Sequence, residues 1–242
     1  MTGDRFPSTR RSVVAALAGD DDAALREAWE ALARAYWRPV YAYLRYRWRA
    51  DHDDAQDLTQ EFFTRAQDKS FFAGYDPDRA RFRTFLRLCL DRFVLRERES
   101  ASRLKRGGGV PLVSLDETGF DRVPVEPADA GADPERQFQQ EWVRALFADA
   151  VESMRARMAG RGRTIPFEVF VAYDLEGPDA PERPTYDALA ARHGISVTQV
   201  TNHLSAMRRE FRREVLARLR SLTGNEAEFR AEAKDLLGWD PP

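Results

Sequence analysis

Apolar residues recur at spacings of three and four along most of this chain, and that period restricts the fold more than any other feature. In the stretch from Ala23 to Trp48 the apolar series is Leu25, Ala28, Trp29, Leu32, Tyr36, Val40, Tyr43 and Leu44. This spacing places the side chains on one face of an α-helix, whereas a half-buried strand would need strict alternation. Because Pro39 removes a helical hydrogen bond inside the series, we expect two helices that meet near Trp37. The pattern predicts an all-α fold.

A segment rich in helix breakers divides the helical pattern into two blocks. It begins with Gly107–Gly109 and continues with prolines and acidic residues, a composition typical of a flexible linker. A chain of 242 residues is long enough for two small domains. We predict five parts: an N-terminal extension (1–22), a first helical domain (23–106), a flexible linker (107–132), a second helical domain (133–220) and a C-terminal helical extension (221–242). For the extension, packing on its own domain is favoured over a regulatory contact.

Several function classes find no support in the residues. The single cysteine, Cys89, cannot form an internal disulfide, and the three histidines lie too far apart to define a metal-ligand cluster by spacing. No glycine-rich phosphate loop and no nucleophile motif is present, so we expect neither an enzyme nor a bound cofactor. No apolar run approaches the roughly 18 residues of a membrane span, and the N-terminus has no signal-peptide pattern. We therefore expect a cytoplasmic protein without a membrane partner.

The second block contains the layout of a helix-turn-helix. A short helix from Thr185 to Arg192 is followed by Gly194, and Ser196 with Gln199 three residues later forms a capping box before a long helix. Apolar residues fall where such a unit buries contacts between its helices: Leu189, Ile195, Val200 and Leu204. The polar candidates for its outer side are Thr198, Gln199, Thr201, Asn202, His203 and Ser205. The layout predicts DNA binding, although two helices joined by a glycine turn can also be plain structure.

Basic residues are concentrated in two stretches, although the formal net charge of the chain is −2. Between Arg79 and Arg106 there are ten basic residues and three acidic ones, with phenylalanines interleaved. Arginines neutralise phosphates and exposed aromatic rings stack on unpaired bases, so this helix is predicted to contact nucleic acid. We expect Phe82, Phe85 and Phe93 themselves to be core residues. The second basic stretch consists of Arg208, Arg209, Arg212, Arg213, Arg218 and Arg220.

An acidic stripe precedes the first basic helix. Within a helix predicted over about 52–66, Asp54, Asp57 and Glu61 occupy positions i, i+3 and i+7 and therefore share one face. Such a stripe could serve as an acid and base pair, as a metal site or as a docking surface for a basic protein. Without a histidine or a second carboxylate cluster the catalytic interpretation is weak. By itself the stripe would indicate a solvated acidic face. Its combination with the basic helix, the linker and the helix-turn-helix favours docking instead.

The order of these features resembles the two-domain RNA polymerase sigma factors of the extracytoplasmic-function type. The resemblance extends from about Ala35 to Leu219. YWRPVYAYLRYRW and DAQDLTQEFFTRA are similar to the first two conserved regions of the N-terminal domain, and FRTFLRLCLDRFVLRERESASRLKRGGG is similar to its promoter-melting part. KRGGG followed by PLVSLDE is similar to a kinase-associated subgroup. The resemblance implies a region 2 helical bundle, a flexible linker and a region 4 helix-turn-helix in a non-enzymatic subunit that directs core RNA polymerase to promoters and melts them.

The resemblance also implies three sets of site residues. The clamp of the largest polymerase subunit would bind Asp54, Asp57, Leu58, Gln60, Glu61 and Phe62. The −10 element of promoter DNA would contact Phe72, Tyr75, Arg79, Arg81, Arg83, Arg87, Arg92 and Arg96. The −35 element would contact Thr198, Gln199, Thr201, Asn202, His203, Arg208, Arg209 and Arg212. The loop from Lys69 to Arg81 would receive a flipped −10 base.

Further partners follow from the same resemblance. The flap of the second-largest polymerase subunit would be a second contact. An anti-sigma factor would be one kind of regulator, and a Ser/Thr kinase acting on Thr59 or Thr64 would be another.

Some positions depart from the family pattern, and two other interpretations stay open. Arg92, Arg96, His203 and Ala206 replace residues that are frequent in the family, so the promoter sequence does not carry over. The chain would otherwise be a stand-alone helix-turn-helix regulator that binds duplex DNA as a dimer, or a polar interaction module without a role on DNA. Loss of polymerase binding on reversal of the acidic stripe distinguishes the sigma-type interpretation from the stand-alone regulator. Salt-dependent affinity for promoter fragments distinguishes it from the interaction module.

Overall fold

The computed structural model describes residues 13–14, 22–68, 71–72, 74–105, 133–176 and 183–241. Its helices are α1 (Asp22–Arg47), α2 (His52–Ala66), α3 (Phe82–Lys105), α4 (Pro134–Gly160), α5 (Thr164–Phe170), α6 (Tyr186–His193), α7 (Val197–Ser221) and α8 (Glu226–Leu237), with a π-helical segment at Val171–Leu175. Because these ranges contain no strand, the prediction of an all-α fold is confirmed. No helix within them combines the length and the apolar character needed to cross a bilayer.

The described chain divides into two compact units. The first contains the residues up to Ala145 together with Arg220–Asp240, and the second contains Leu146–Leu219. The division falls inside α4, later than the boundary predicted at residue 133. It also assigns the C-terminal extension to the first unit. The predicted linker, 107–132, and most of the N-terminal extension lie outside the described residues.

α1 runs unbroken through Pro39, so the expectation of two helices meeting near Trp37 is wrong. Proline removes one backbone donor from the helix. The neighbouring residues Tyr36 and Val40 are 1% and 0% exposed. Packing of this face against the core holds the helix together across the missing bond, since tertiary contacts commonly override a local preference.

Aromatic rings form much of the core of the first unit. The ring centroid of Tyr36 lies 5.9 Å from that of Phe82 and 5.9 Å from that of Trp142. The expectation of burial is confirmed for Phe82 and Phe93, whereas Phe85 is only partly buried. Trp142 contributes to this core from α4, which explains why the first turns of that helix belong to the first unit.

The second unit contains the helix-turn-helix. Thr185 caps α6 by accepting a hydrogen bond from Ala188 N at 3.1 Å, and Gly194 ends it with a φ of 64°. Ser196 and Gln199 form the predicted capping box, with 2.8 Å from Ser196 N to Gln199 Oε1 and 3.2 Å from Gln199 N to Ser196 Oγ. The apolar residues predicted between the two helices belong to one buried cluster: Leu189, Val200 and Leu204, with Ile195 packed against them.

α8, the helix of the C-terminal extension, packs within the first unit. Its N-cap, Asn225, accepts a hydrogen bond from Glu228 N at 2.8 Å. Phe229 and Ala233 are 1% and 0% exposed, so the helix buries an apolar face. Glu228 Oε1 also accepts a hydrogen bond from Phe82 N at 2.6 Å, although the two residues are 146 positions apart. The extension follows the helix-turn-helix in sequence, but these contacts are with the first unit.

Candidate functional site

The acidic stripe lies on α2 and faces solvent. Asp51 caps this helix by accepting a hydrogen bond from Asp54 N at 2.8 Å, and acidic residues in the first turn suit the positive end of the helix dipole. The side chains of Asp54, Asp57, Gln60 and Glu61 are exposed. The carboxylates of Asp54 and Asp57 form no ion pair with any residue in the described ranges. Two negative charges are therefore available to a partner.

Glu61, the third carboxylate of the stripe, is already paired. Arg65 Nε lies 2.8 Å from Glu61 Oε1, and Arg65 Nη1 lies 2.7 Å from Glu97 Oε1. The side chains of Arg65 and Glu61 are 45% and 48% exposed. An exposed pair of this kind contributes less than about 1 kcal/mol, so a cation from a partner protein can replace Arg65.

Phe62, which the resemblance assigned to docking, is a core residue. It is 0% exposed, and its ring centroid lies 5.5 Å from that of Phe71 and 5.7 Å from that of Phe93. A side chain buried in this way cannot contact a protein partner. Phe62 anchors α2 instead, and it thereby fixes the direction in which the carboxylates point. Leu58 is partly exposed and lies beside the stripe.

Of the two threonines expected as kinase substrates, only Thr64 is accessible. Thr59 is 0% exposed, and its hydroxyl donates a hydrogen bond to Ala55 O at 2.6 Å. Thr64 is exposed, and its hydroxyl donates to Gln60 O at 2.8 Å. The expectation for Thr59 is therefore wrong, because the hydroxyl is buried beneath the helix.

The residues expected at the −10 element divide into two groups, and the first group is paired within the chain. Arg83 Nε lies 2.7 Å from Glu232 Oε1. Arg81 forms ion pairs with Glu232, at 3.6 Å, and with Asp235. The side chain of Arg83 is 13% exposed. In this arrangement α8 covers both guanidinium groups.

Tyr75, Phe72 and Arg87 also belong to the first group. Tyr75 Oη donates a hydrogen bond to Glu228 Oε2 at 2.9 Å, and burial together with this carboxylate raises the pKa of Tyr75 well above its ordinary value. Phe72 is partly buried against the aromatic core. Arg87 Nη1 lies 2.8 Å from Glu135 Oε2. These side chains support the fold of the first unit in the arrangement described.

The second group is exposed and consists of Arg79, Arg92 and Arg96. Arg79 makes one exposed ion pair, at 3.3 Å from Asp76. Arg92 and Arg96 form no ion pair with a described residue, and they border a concavity of about 300 Å³. The remaining residues of its lining are Arg65, Phe71, Cys89 and Phe93. Arginines around aromatic rings are a combination that binds phosphates and stacks unpaired bases.

The outer side of the helix-turn-helix presents three exposed polar side chains that make no hydrogen bond to a residue in the described ranges, and they belong to Thr198, Asn202 and Ser205. Thr198 and Asn202 lie nearer to the start of α7 than Ser205 does. Gln199 Oε1 is used in the capping box. Thr201 Oγ1 donates to Val197 O within the helix at 3.1 Å. Of the polar residues at the start of α7, Thr198 and Asn202 are therefore the better placed to contact base edges.

Arg208, Arg209 and Arg212 are all exposed, and Arg208 is in addition held by an ion pair with two hydrogen bonds. Arg208 Nε and Nη2 each donate to a carboxylate oxygen of Asp174 at 2.8 Å. His203 is partly buried, and burial together with a nearby positive charge lowers its pKa. At neutral pH His203 therefore contributes hydrogen bonding rather than charge.

Glutamates neutralise much of the second basic stretch. Glu210 is paired with Arg157, at 2.5 Å, and with Arg213. Glu214 is paired with Arg157 and, at 2.5 Å, with Arg218. Much of the positive charge that was predicted for the end of α7 is thus paired with acidic residues of the second unit.

A second concavity, of about 380 Å³, lies in the second unit between α4, α5, the π-helical segment and α6. Its lining includes Arg155, Arg192 and Glu168, and His193 Nδ1 lies 3.6 Å from Glu168 Oε2. Acidic and basic groups are mixed in this lining, so its charge favours no ligand class. Among the residues that the structure describes, no group of three or more His, Cys, Asp or Glu side chains could hold a metal ion.

The sequence interpretation missed three carboxylates of α8 that contact the basic surface. Glu228, Glu232 and Asp235 occupy positions i, i+4 and i+7, which is one face of a helix. This spacing is as visible in the sequence as that of the α2 stripe. Their partners are not visible there, because 149 residues separate Arg83 from Glu232.

Compared with protein-family models, with curated proteins and with solved structures, the chain matches none of them. The functional assignment therefore depends on the geometry of the chain itself. Two features of the described residues support it, which are the exposed carboxylates of Asp54 and Asp57 on α2 and the exposed arginines of α3.

Proposed function

We propose that this chain is a sigma-type subunit, which binds a bacterial core RNA polymerase and directs it to promoters. The observation that carries the proposal is that one compact unit presents two opposite charges. Asp54 and Asp57 are exposed on α2 and pair with none of the described residues, while Arg92 and Arg96 border an aromatic concavity on α3. The cationic surface fits nucleic acid, and an anionic surface on the same unit fits a basic protein that is bound to that nucleic acid.

Each surface has a separate role in this proposal. α2 docks on the clamp of the largest subunit, where complementary charge speeds and orients association. The concavity beside Arg92 and Arg96 holds the strand that is displaced when the −10 element melts, since its rings can stack on unpaired bases. Thr198 and Asn202 of α7 contact base edges of the −35 element in the major groove.

The proposal is tested by transcription from fragmented genomic DNA, with core polymerase alone and with the chain added, followed by sequencing of the transcripts. We expect a set of start sites that requires the chain and shares an upstream sequence. Asp57→Arg should abolish these start sites. Glu30→Arg, which makes the same charge change at an exposed position of α1, should preserve them. Start sites that are the same with and without the chain would overturn the proposal.

A stand-alone helix-turn-helix regulator is the second candidate. This candidate is favoured by the capped helices α6 and α7, on which Thr198 and Asn202 are exposed. Such a unit can bind duplex DNA without a polymerase. This candidate predicts a duplex footprint by the chain alone that is unchanged by Asp57→Arg. The sigma-type proposal predicts that a promoter footprint requires core polymerase and is lost with Asp57→Arg.

A further inference from the structure

The acidic face of α8 lies directly on the basic surface formed by Tyr75, Arg81 and Arg83. Glu232 contacts both guanidinium groups, at 2.7 Å from Arg83 Nε and 3.6 Å from Arg81 Nη1. Asp235 pairs with Arg81 at the more exposed end of the face. These carboxylates of α8 therefore pair with the arginines that were predicted from the sequence to contact a nucleic-acid strand.

Glu228 extends the same pattern at the start of α3. Its oxygens accept hydrogen bonds from Phe82 N at 2.6 Å, from Tyr75 Oη at 2.9 Å and from Gly224 N at 2.6 Å. A backbone N–H at the first turn of a long helix, beside arginines and a phenol, is a donor set that binds phosphate oxygens as readily as carboxylates. The surface beneath α8 therefore has the chemistry of a phosphate-binding surface, and carboxylates take the place of phosphates in it.

The fit between α8 and this surface leaves one polar atom unsatisfied. The side chain of Glu232 is 2% exposed, and its Oε2 accepts no hydrogen bond from a described residue, although it lies 3.6 Å from Arg81 Nη1. A buried carboxylate oxygen without a hydrogen bond loses its hydration without full compensation. This burial raises the pKa of Glu232 in spite of the neighbouring arginines. An occupant with satisfied oxygens would bind the same cations without this cost.

The connection to α8 brings the helix to this surface. A Cβ atom on Gly224 would lie 2.8 Å from Tyr75 Oη and 2.8 Å from Pro77 Cβ, so only glycine allows so close an approach. Asn225 Nδ2 donates to Asp78 Oδ1 at 3.1 Å from the next position. These two residues hold the start of α8 against the loop that precedes α3. Its far end is held by the more exposed pair of Asp235 and Arg81, whose side chains are 52% and 32% exposed.

We propose that the acidic face of α8 and a single strand of DNA are alternative occupants of the surface formed by Tyr75, Arg81 and Arg83. The strand displaces α8 beginning at its Asp235 end. α8 thus closes part of the strand-binding surface until single-stranded DNA is present. This inference rests on the proposed function only in that the strand is the one exposed by promoter melting.

The first test measures binding of a fluorescein-labelled single-stranded oligonucleotide to the full chain by anisotropy at fixed ionic strength. Asp235→Lys repels Arg81 and weakens the closed arrangement at an exposed position, where the fold tolerates substitution. Glu30→Lys on α1 is the control with the same charge change. We expect Asp235→Lys to bind about three- to tenfold more tightly than the control, the range that loss of an exposed ion pair and added repulsion can give. Equal affinities would overturn the inference.

The second test needs no variant. Hydrogen exchange of the backbone amides of residues 226–237 is measured in the wild-type chain with and without saturating oligonucleotide. We expect faster exchange when the oligonucleotide is bound, because α8 has been displaced. Unchanged or slower exchange, or no binding of the oligonucleotide, would overturn the inference and leave α8 as a permanent part of the core.

A parallel titration with core polymerase separates this inference from the proposed function. If the wild-type chain fails to bind polymerase, the proposed function fails, whatever the result of the exchange experiment. If the chain binds polymerase while α8 remains protected in the presence of the oligonucleotide, only the inference on α8 fails.

Discussion

Two helices of the first unit carry acidic stripes with almost the same spacing, and the stripes have opposite environments. On α2, Asp54, Asp57 and Glu61 face solvent. On α8, Glu228 and Glu232 are 6% and 1% exposed and are paired with the basic surface. Because the spacing of the carboxylates is so similar, the difference must come from what else lies on the same helical face.

The position of the apolar residues accounts for this difference. On α8 the buried residues include Glu228 and Glu232 as well as Phe229 and Ala233, so these carboxylates belong to the buried face. On α2 the buried residues include Ala55, Phe62 and Phe63 but none of the three acids, so the stripe lies outside the buried face. An acid within the apolar face is buried and needs a cation from the same chain. An acid beside that face is left for a partner.

Removal of one carboxylate from each stripe should give the largest difference in the free energy of unfolding between matched variants. Glu228→Ala leaves Phe82 N, Tyr75 Oη and Gly224 N without their acceptor, so we expect a loss of about 3 kcal/mol in the free energy of unfolding. Asp57→Ala on α2 is the matched variant and should change it by less than about 0.5 kcal/mol. Urea denaturation of the full chain measures both. Equal losses would show that the two stripes are equivalent.

Two arginines of α3, one paired with α8 and one exposed, can be compared in the same way. Arg83→Met leaves the Glu232 carboxylate buried without its nearest cation, which should cost about 2–3 kcal/mol. Arg92→Met, on the same helix and exposed, should cost less than about 0.5 kcal/mol and should weaken binding of single-stranded DNA. Thermal denaturation and oligonucleotide anisotropy provide the two measurements. Comparable destabilisation by both substitutions would contradict the division of the arginines into two groups.

The contact that brings α8 to the loop can be probed at Gly224. Alanine at this position would place Cβ 2.8 Å from Tyr75 Oη, so the loop or the helix must shift. We expect Gly224→Ala to destabilise the chain by about 1–2 kcal/mol, as overpacking does. Gly74→Ala is the control, because a Cβ there meets nothing within 4 Å. A neutral Gly224→Ala would show that α8 does not depend on this close approach.

The smallest expected effect is a pH dependence that comes from Glu232. Burial raises its pKa above the ordinary 4.5, so the folded state binds its proton more tightly than the unfolded state does. Its contribution to stability is therefore fully present below pH 4.5 and is lost as the pH rises through the folded-state pKa. Relative to Glu232→Gln, the wild-type chain should lose stability with rising pH across that window. If the wild-type chain instead gains stability relative to Glu232→Gln as the pH rises, the pKa of Glu232 is lowered in the folded state and this interpretation is wrong.

The sequence predicts local features well in this chain. The apolar period gave the all-α fold, the Ser196 and Gln199 capping box is formed, and the carboxylates of the α2 stripe are exposed. Each of these depends on residues a few positions apart, where helical geometry is decisive. The helix break expected at Pro39 was wrong because packing outweighed a local preference.

Contacts between distant segments could not be predicted from the same patterns. Phe62 was assigned to docking because family motifs do not distinguish a contact residue from the residue that anchors the helix. The pairing of Arg81 and Arg83 with α8 joins segments about 150 residues apart, as the separations of 149 and 154 show. Charge counts along the first basic helix therefore overstated the positive charge that is left unpaired among the described residues.

The most direct test of the account is the affinity of core RNA polymerase for the chain, measured by titration with fluorescently labelled variants. We expect Asp57→Arg to weaken binding at least about tenfold, since reversal of a charge at a complementary interface costs more than about 1.4 kcal/mol. Glu30→Arg should bind as the wild type does. If Asp57→Arg, folded as judged by its helical circular dichroism, binds core polymerase as tightly as the wild type, the acidic stripe of α2 is not the docking surface.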